Sequence, residues 1–185
     1  MVWYNGKGEL IMSHFTVLIF NNEKQKDEIW ELAQKNGIEL WESGYGVNPS
    51  IPTPHVFIND ILISSKSHYY DKGCRNLEDI FFYEKQKVEN KKTKSKKYQE
   101  KKRKNVEEIC LQIEKIKERY LVMRTFIEEV VEKCDSISIL AHFSDHSENE
   151  RVPIKEVKKI MCPDLTIETL IFLSDNVLLK ILKQR

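Results

Sequence analysis

The stretch Val106-Glu-Glu-Ile-Cys-Leu-Gln-Ile-Glu-Lys-Ile-Lys-Glu-Arg-Tyr-Leu-Val-Met-Arg-Thr-Phe-Ile-Glu-Glu-Val-Val-Glu-Lys-Cys134 sets the terms for the whole chain. Val106, Ile109, Cys110, Ile113, Ile116, Tyr120, Met123, Phe126, Ile127, Val130, Val131 and Cys134 recur at three- and four-residue spacings, which puts them on one helical face. The spacing predicts a helix over about 106–134, roughly 44 Å long at 1.5 Å per residue. Asn105, with Glu108 three positions later, is a variant of the capping box and the expected start. So long an apolar face demands a partner surface, and it invites a homo-oligomer as readily as packing within the chain.

Upstream the chain has a different texture. All six glycines lie at or before Gly73, three of the five prolines fall at Pro49, Pro52 and Pro54, and neither residue occurs from Cys74 to Val152. Breakers therefore cut the first part into short elements, while the second part can sustain long helices. His14 to Phe20 is rich in β-formers and reads as a buried strand. Asn22 can cap a helix that carries Ile29, Trp30, Leu32 and Ala33 on one face and stops at Gly37. Ile38 to Trp41 is a short strand, 44–53 a loop, and Pro54 to Ser64 two short strands joined at Asn59-Asp60. Asn76 can cap a further helix with Leu77, Ile80 and Phe81 inward.

Downstream, Ser136 to Phe143 alternates as a strand does, Ser144 to Glu150 is a polar turn, and Arg151 to Ile160 supplies a return strand starting at an edge with Pro153. Leu165 to Leu173 is helical, and the ambiguous tail Val177 to Leu182 is read as a strand joining the hairpin. The expected class is α+β. It comprises an N-terminal α/β unit (1–84), a Lys-rich linker or helix extension (85–104), and a long helix or helical hairpin followed by a C-terminal hairpin, short helix and final strand (105–185).

Charge is distributed unevenly. The formal net charge is +1, yet residues 85–104 carry 11 Lys and Arg against two acids, between two acidic flanks. A block of this kind stays solvated or meets an anionic partner. Lys91, Lys92, Lys94, Lys96, Lys97, Lys101, Lys102, Arg103 and Lys104 could neutralise nucleic-acid phosphates. Only Tyr98 could stack on a base, so base-specific reading is not expected. The block lacks the apolar face of an interfacial helix, and no stretch approaches the roughly 20 apolar residues of a membrane span.

Cys74, Cys110, Cys134 and Cys162 are scattered without a Cys-x-x-Cys pair and read as reduced thiols of a cytoplasmic protein. His142, Asp145, His146, Glu148 and Glu150 cluster and could bind zinc or iron, but polar hairpin turns carry such residues routinely, and no metal or other cofactor is expected. No phosphate-binding glycine loop appears, since Gly44-Tyr45-Gly46 lacks the remaining glycines. No catalytic residue is assigned.

Two resemblances add expectations. Residues 14–84, with Thr53-Pro54-His-Val-Phe-Ile-Asn59-Asp60-Ile-Leu-Ile63, resemble the proline-led hairpin of thioredoxin- and glutaredoxin-like proteins. The family's redox cysteines are replaced here by Asn21-Asn22-Glu23-Lys24, so its thiol chemistry does not carry over. Residues 105–185, from the amphipathic helix through Cys134-Asp-Ser-Ile-Ser-Ile-Leu-Ala-His-Phe, the acidic turn, Val152-Pro-Ile-Lys-Glu-Val and Asp175-Asn-Val-Leu-Leu-Lys-Ile, resemble small bacterial immunity-type proteins in their rhythm. That resemblance implies a non-enzymatic inhibitor of a bacterial conflict system, an immunity protein or phage-encoded inhibitor, that occludes a protein target such as a toxin or nuclease. Asp145, Glu148, Glu150, Glu128, Glu129 and Glu132 would suit a basic partner by charge. A nucleic-acid-associated protein using the basic block is the alternative, and a degenerate thioredoxin-like protein the third.

Overall fold

The computed structural model describes residues 3–4, 10–11, 13–42, 54–58, 72–89, 96–144, 154–174 and 176–184. A two-residue ladder, β1 (Trp3–Tyr4) with β2 (Leu10–Ile11), stands apart from the main sheet. Strand β3 (Ser13–Ile19) leads into a 3-10 turn (Glu23–Gln25) and α1 (Lys26–Lys35). Asn22 caps that turn: its side chain accepts from the Lys24 N–H at 3.0 Å, while its own N–H donates to Gln25 Oε1 at 3.1 Å. Gly37, at φ +64°, ends α1, with the Ile38 N–H donating to the Ala33 carbonyl and the Gly37 N–H to that of Gln34. That pair of bonds is a Schellman closure, which needs the left-handed conformation glycine adopts freely.

Strands β4 (Leu40–Trp41) and β5 (His55–Ile58) follow, then α2 (Leu77–Glu89) and α3 (Lys96–Cys134). Asn76 caps α2, accepting from the Asp79 N–H at 2.8 Å. The chain continues through β6 (Ser136–Ser144), β7 (Glu156–Met161), a 3-10 turn at Cys162–Asp164, α4 (Ile167–Ile171) and β8 (Val177–Leu182).

Helix α3 begins about ten residues before the expected start, so Asn105 lies inside it and caps nothing. Lysine, glutamine and arginine are good helix formers and no breaker interrupts them, so the helix propagates back into the basic block. Residues 96–104 are thus helix extension, not linker. The second strand expected after Asn59-Asp60 lies outside the described residues.

Six strands form one mixed sheet in the order β4-β5-β3-β6-β8-β7, antiparallel except for β7 and β8. The segments expected as separate units on either side of the Lys-rich block meet at the β3–β6 ladder and share this sheet. The expected C-terminal hairpin is corrected: β7 does not return beside β6, because β8 lies between them. Side-chain chemistry explains the order. Strand β8 buries Val177, Leu179 and Ile181 on one face and suits a position with neighbours on both sides. Strand β7 carries Lys158 and Lys159, one for each face, and belongs at an edge, where charge blocks further pairing.

One sheet face is covered by helices. Leu18, Val56, Ile58, Ile137, Ile139, Leu179 and Ile181 pack with Ile29 and Ala33 of α1, Leu170 and Ile171 of α4, and the α3 residues Tyr120, Met123, Phe126, Ile127, Val130, Val131 and Cys134. The opposite face carries a smaller cluster of Val17, Ile19, Phe57 and Leu140 with Trp41 and Leu178. At the α3–β6 junction Asp135 takes φ +62°, which Asp tolerates better than most residues. The Asn21 amide donates to the Cys134 carbonyl, the Ser136 carbonyl and Ser136 Oγ at 3.1–3.2 Å, tying the end of β3 to that turn.

Candidate functional site

Helix α3 has 39 residues, about 58 Å at 1.5 Å per residue. Among the described residues its buried side chains all lie from Tyr120 onward, so its last four turns supply its share of the fully buried core. The part upstream leans on α2, through half-buried Ile113 and Ile116 beside Leu77, Ile80 and Tyr83. The two helices form an arm extending from the sheet body. Near its tip Lys102 Nζ donates to the Glu89 carbonyl at 2.7 Å, placing a cation at the C-terminal end of α2.

The tip concentrates positive charge. Residues 96–104 contain six Lys and Arg against the single acid Glu100. Arg103 is engaged by Glu100 at 3.3 Å and Glu107 at 3.7 Å, whereas Lys101 and Lys104, exposed and three residues apart on one face, form no ion pair among the described residues. The first turn of α3 holds no acid, so lysines sit where the helix dipole favours negative charge. An anion there would relieve both the mutual repulsion and the dipole. Lys91, Lys92 and Lys94 lie outside the described residues.

Of the acids expected to face a partner, the three described ones each pair with a cation of the same chain. Glu128 accepts from Arg124 Nε at 2.8 Å. Glu132 pairs with Lys183 at 2.9 Å, and the same ammonium reaches the Glu132 carbonyl at 2.8 Å, fastening α3 to the end of β8. Glu129 takes Lys35 Nζ at 2.6 Å and Asn36 Nδ2 at 2.8 Å, fastening α3 to the end of α1. Asp145, Glu148 and Glu150 lie outside the described residues. The hydrogen bonds from Lys35 and Asn36 hold the Glu129 carboxyl below its ordinary range. A depressed folded-state pKa contributes stability above the unfolded value and loses it as pH falls through the folded one. Glu129→Gln is therefore expected to cost about 0.5–1 kcal/mol at pH 7. In urea unfolding, the gap to the unaltered chain should close as pH falls below 4.

Three thiols are buried and one is not. Burial raises the pKa of Cys74 and Cys162, and pushes that of Cys134 up to about 11, which makes these poor nucleophiles. Where thioredoxin-like proteins place cysteines, Asn21 and Asn22 are occupied in tying and capping. His142 lies in β6 opposite Phe15, while Asp145, His146, Glu148 and Glu150 fall outside the described residues. Among the described residues no cluster of His, Cys, Asp or Glu is close enough to hold a metal, and no helix is long and apolar enough to cross a membrane.

A groove of about 560 Å³ opens where the start of α2, the middle of α3 and the start of α4 converge. Half-buried Cys110 stands in its wall. The sequence offers no motif for this groove, because its residues come from three segments, 76–81, 110–117 and 167–168. No protein-family model, curated protein or solved structure matches the chain.

Proposed function

We propose that this protein works by binding, and that the α2–α3 arm presents its basic tip to a polyanion, with nucleic-acid phosphates as the best chemical fit. The observation that carries this reading is the exposed Lys101 and Lys104 near the start of a helix whose buried side chains, among the described residues, all lie from Tyr120 onward. Lysine-rich contact of this kind is electrostatic and independent of base sequence. Binding of the intact chain to duplex and single-stranded DNA should fall steeply with added salt. Absence of binding at low ionic strength would reject the reading.

The open edge at β7 favours a second reading, occlusion of a protein target as an immunity protein or phage-encoded inhibitor would perform it. Val157 is 51% exposed and Met161 36%, beside an outer ladder edge with no strand partner among the described residues. Strand addition and apolar contact both suit a protein partner. The intact chain should then suppress a nuclease encoded beside its gene, and Val157→Glu should lift the suppression. Neighbouring genes that encode only metabolic enzymes would count against it.

A further inference from the structure

The groove between α2, α3 and α4 combines two features that select a ligand class. Its floor is apolar, formed by Leu77, Phe81, Ile113 and Ile167. Its remaining charged lining is Glu78, Glu114 and Glu168 against the single cation Lys117, a net charge of −2. None of these three glutamates forms an ion pair among the described residues, in contrast to the partnered Glu128, Glu129 and Glu132. At about 560 Å³ the space suits a small molecule, since such sites run from about 300 to 1,000 Å³. The Phe81 ring already has the Lys85 ammonium 5.8 Å from its centroid, so cations are accommodated beside it.

An anion would meet net negative charge here, and a neutral hydrocarbon would gain nothing from the carboxylates. An inorganic cation would leave the apolar floor uncovered. We propose that the groove binds a small organic cation with an apolar body, an arylamidinium or arylalkylammonium. Its hydrocarbon rests on Leu77, Phe81, Ile113 and Ile167, and its charge lies among Glu78, Glu114 and Glu168. This site is separate from the basic tip, and its occupation does not depend on the arm binding a polyanion.

Benzamidine is the probe and benzamide its uncharged counterpart, each titrated into the full chain by ligand-observed NMR. Benzamidine should bind saturably and at least about tenfold more tightly than benzamide. The combined Glu114→Gln and Glu168→Gln variant should bind benzamidine about fivefold more weakly, as expected for two partly exposed charge contacts. Saturating benzamidine should also slow N-ethylmaleimide alkylation of Cys110, located by peptide mass mapping. No saturable binding, equal affinity for benzamide, or an unchanged Cys110 rate at saturation would each overturn the proposal. The comparison of the two probes on the unaltered chain decides the matter even if the variant fails to fold.

Discussion

Replacing Phe126 with alanine is expected to cost about 3–5 kcal/mol of folding stability. Phe126 is fully buried, on the part of α3 that meets the helix-covered face of the sheet, in the same cluster as Ile127, Val130 and Ile139. Truncation removes the transfer free energy of the ring and leaves a cavity, because neighbours drawn from α1, α3 and the sheet cannot all collapse into it. Domains are stable by only about 5–15 kcal/mol, so the variant would lose a large share of its margin. Leu111→Ala supplies the contrast. Leu111 is 63% exposed on the arm, and its truncation should change stability by no more than about 0.5 kcal/mol. Urea unfolding of both variants checks this, with a lower midpoint and unchanged slope for Phe126→Ala. Equal midpoints would mean that α3 does not anchor the core.

That asymmetry along α3 was only partly legible in the sequence. The periodicity from Val106 to Cys134 marks one apolar face, yet it does not say that Ile113 and Ile116 stay only partly buried at the margin of the core while the stretch from Tyr120 to Cys134 supplies fully buried residues. Local signals were read well where the physics is local: Asn22, Gly37 and Asn76 act within a few residues of themselves, as caps and stops do. Asn105 misled because a capping box is a local option, and continuous helix formers before it overrode it. Strand order depends on long-range pairing, which local periodicity cannot specify. The adjacent pair Lys158-Lys159 was nonetheless a usable sign of an edge, as the alternation of Val177, Leu179 and Ile181 was of an interior strand. The ion pairs of Glu129 and Glu132 could not be read from their own neighbourhoods because the cations come from distant segments: Lys35 lies 94 residues before Glu129, and Lys183 51 residues after Glu132. The groove was invisible for the same reason.

The proposed role of the arm makes the other large prediction. Replacing Lys101, Lys102, Arg103 and Lys104 with glutamine should weaken DNA binding about 100-fold near 0.1 M salt. It should also make the slope of log affinity against log salt shallower by about 3–4, since each neutralised phosphate contributes about 0.9. The same variant should fold at least as well as the unaltered chain. Removing like charges from one stretch of α3 relieves their repulsion, and the loss of the Lys102 bond to Glu89 and of the exposed Arg103 pairs with Glu100 and Glu107 is a small opposing cost. Lower affinity with undiminished thermal stability therefore separates a binding role from a structural one. A salt slope identical in the two proteins would place the phosphate contacts elsewhere on the molecule, and the tip would then be no more than a solvated helix end.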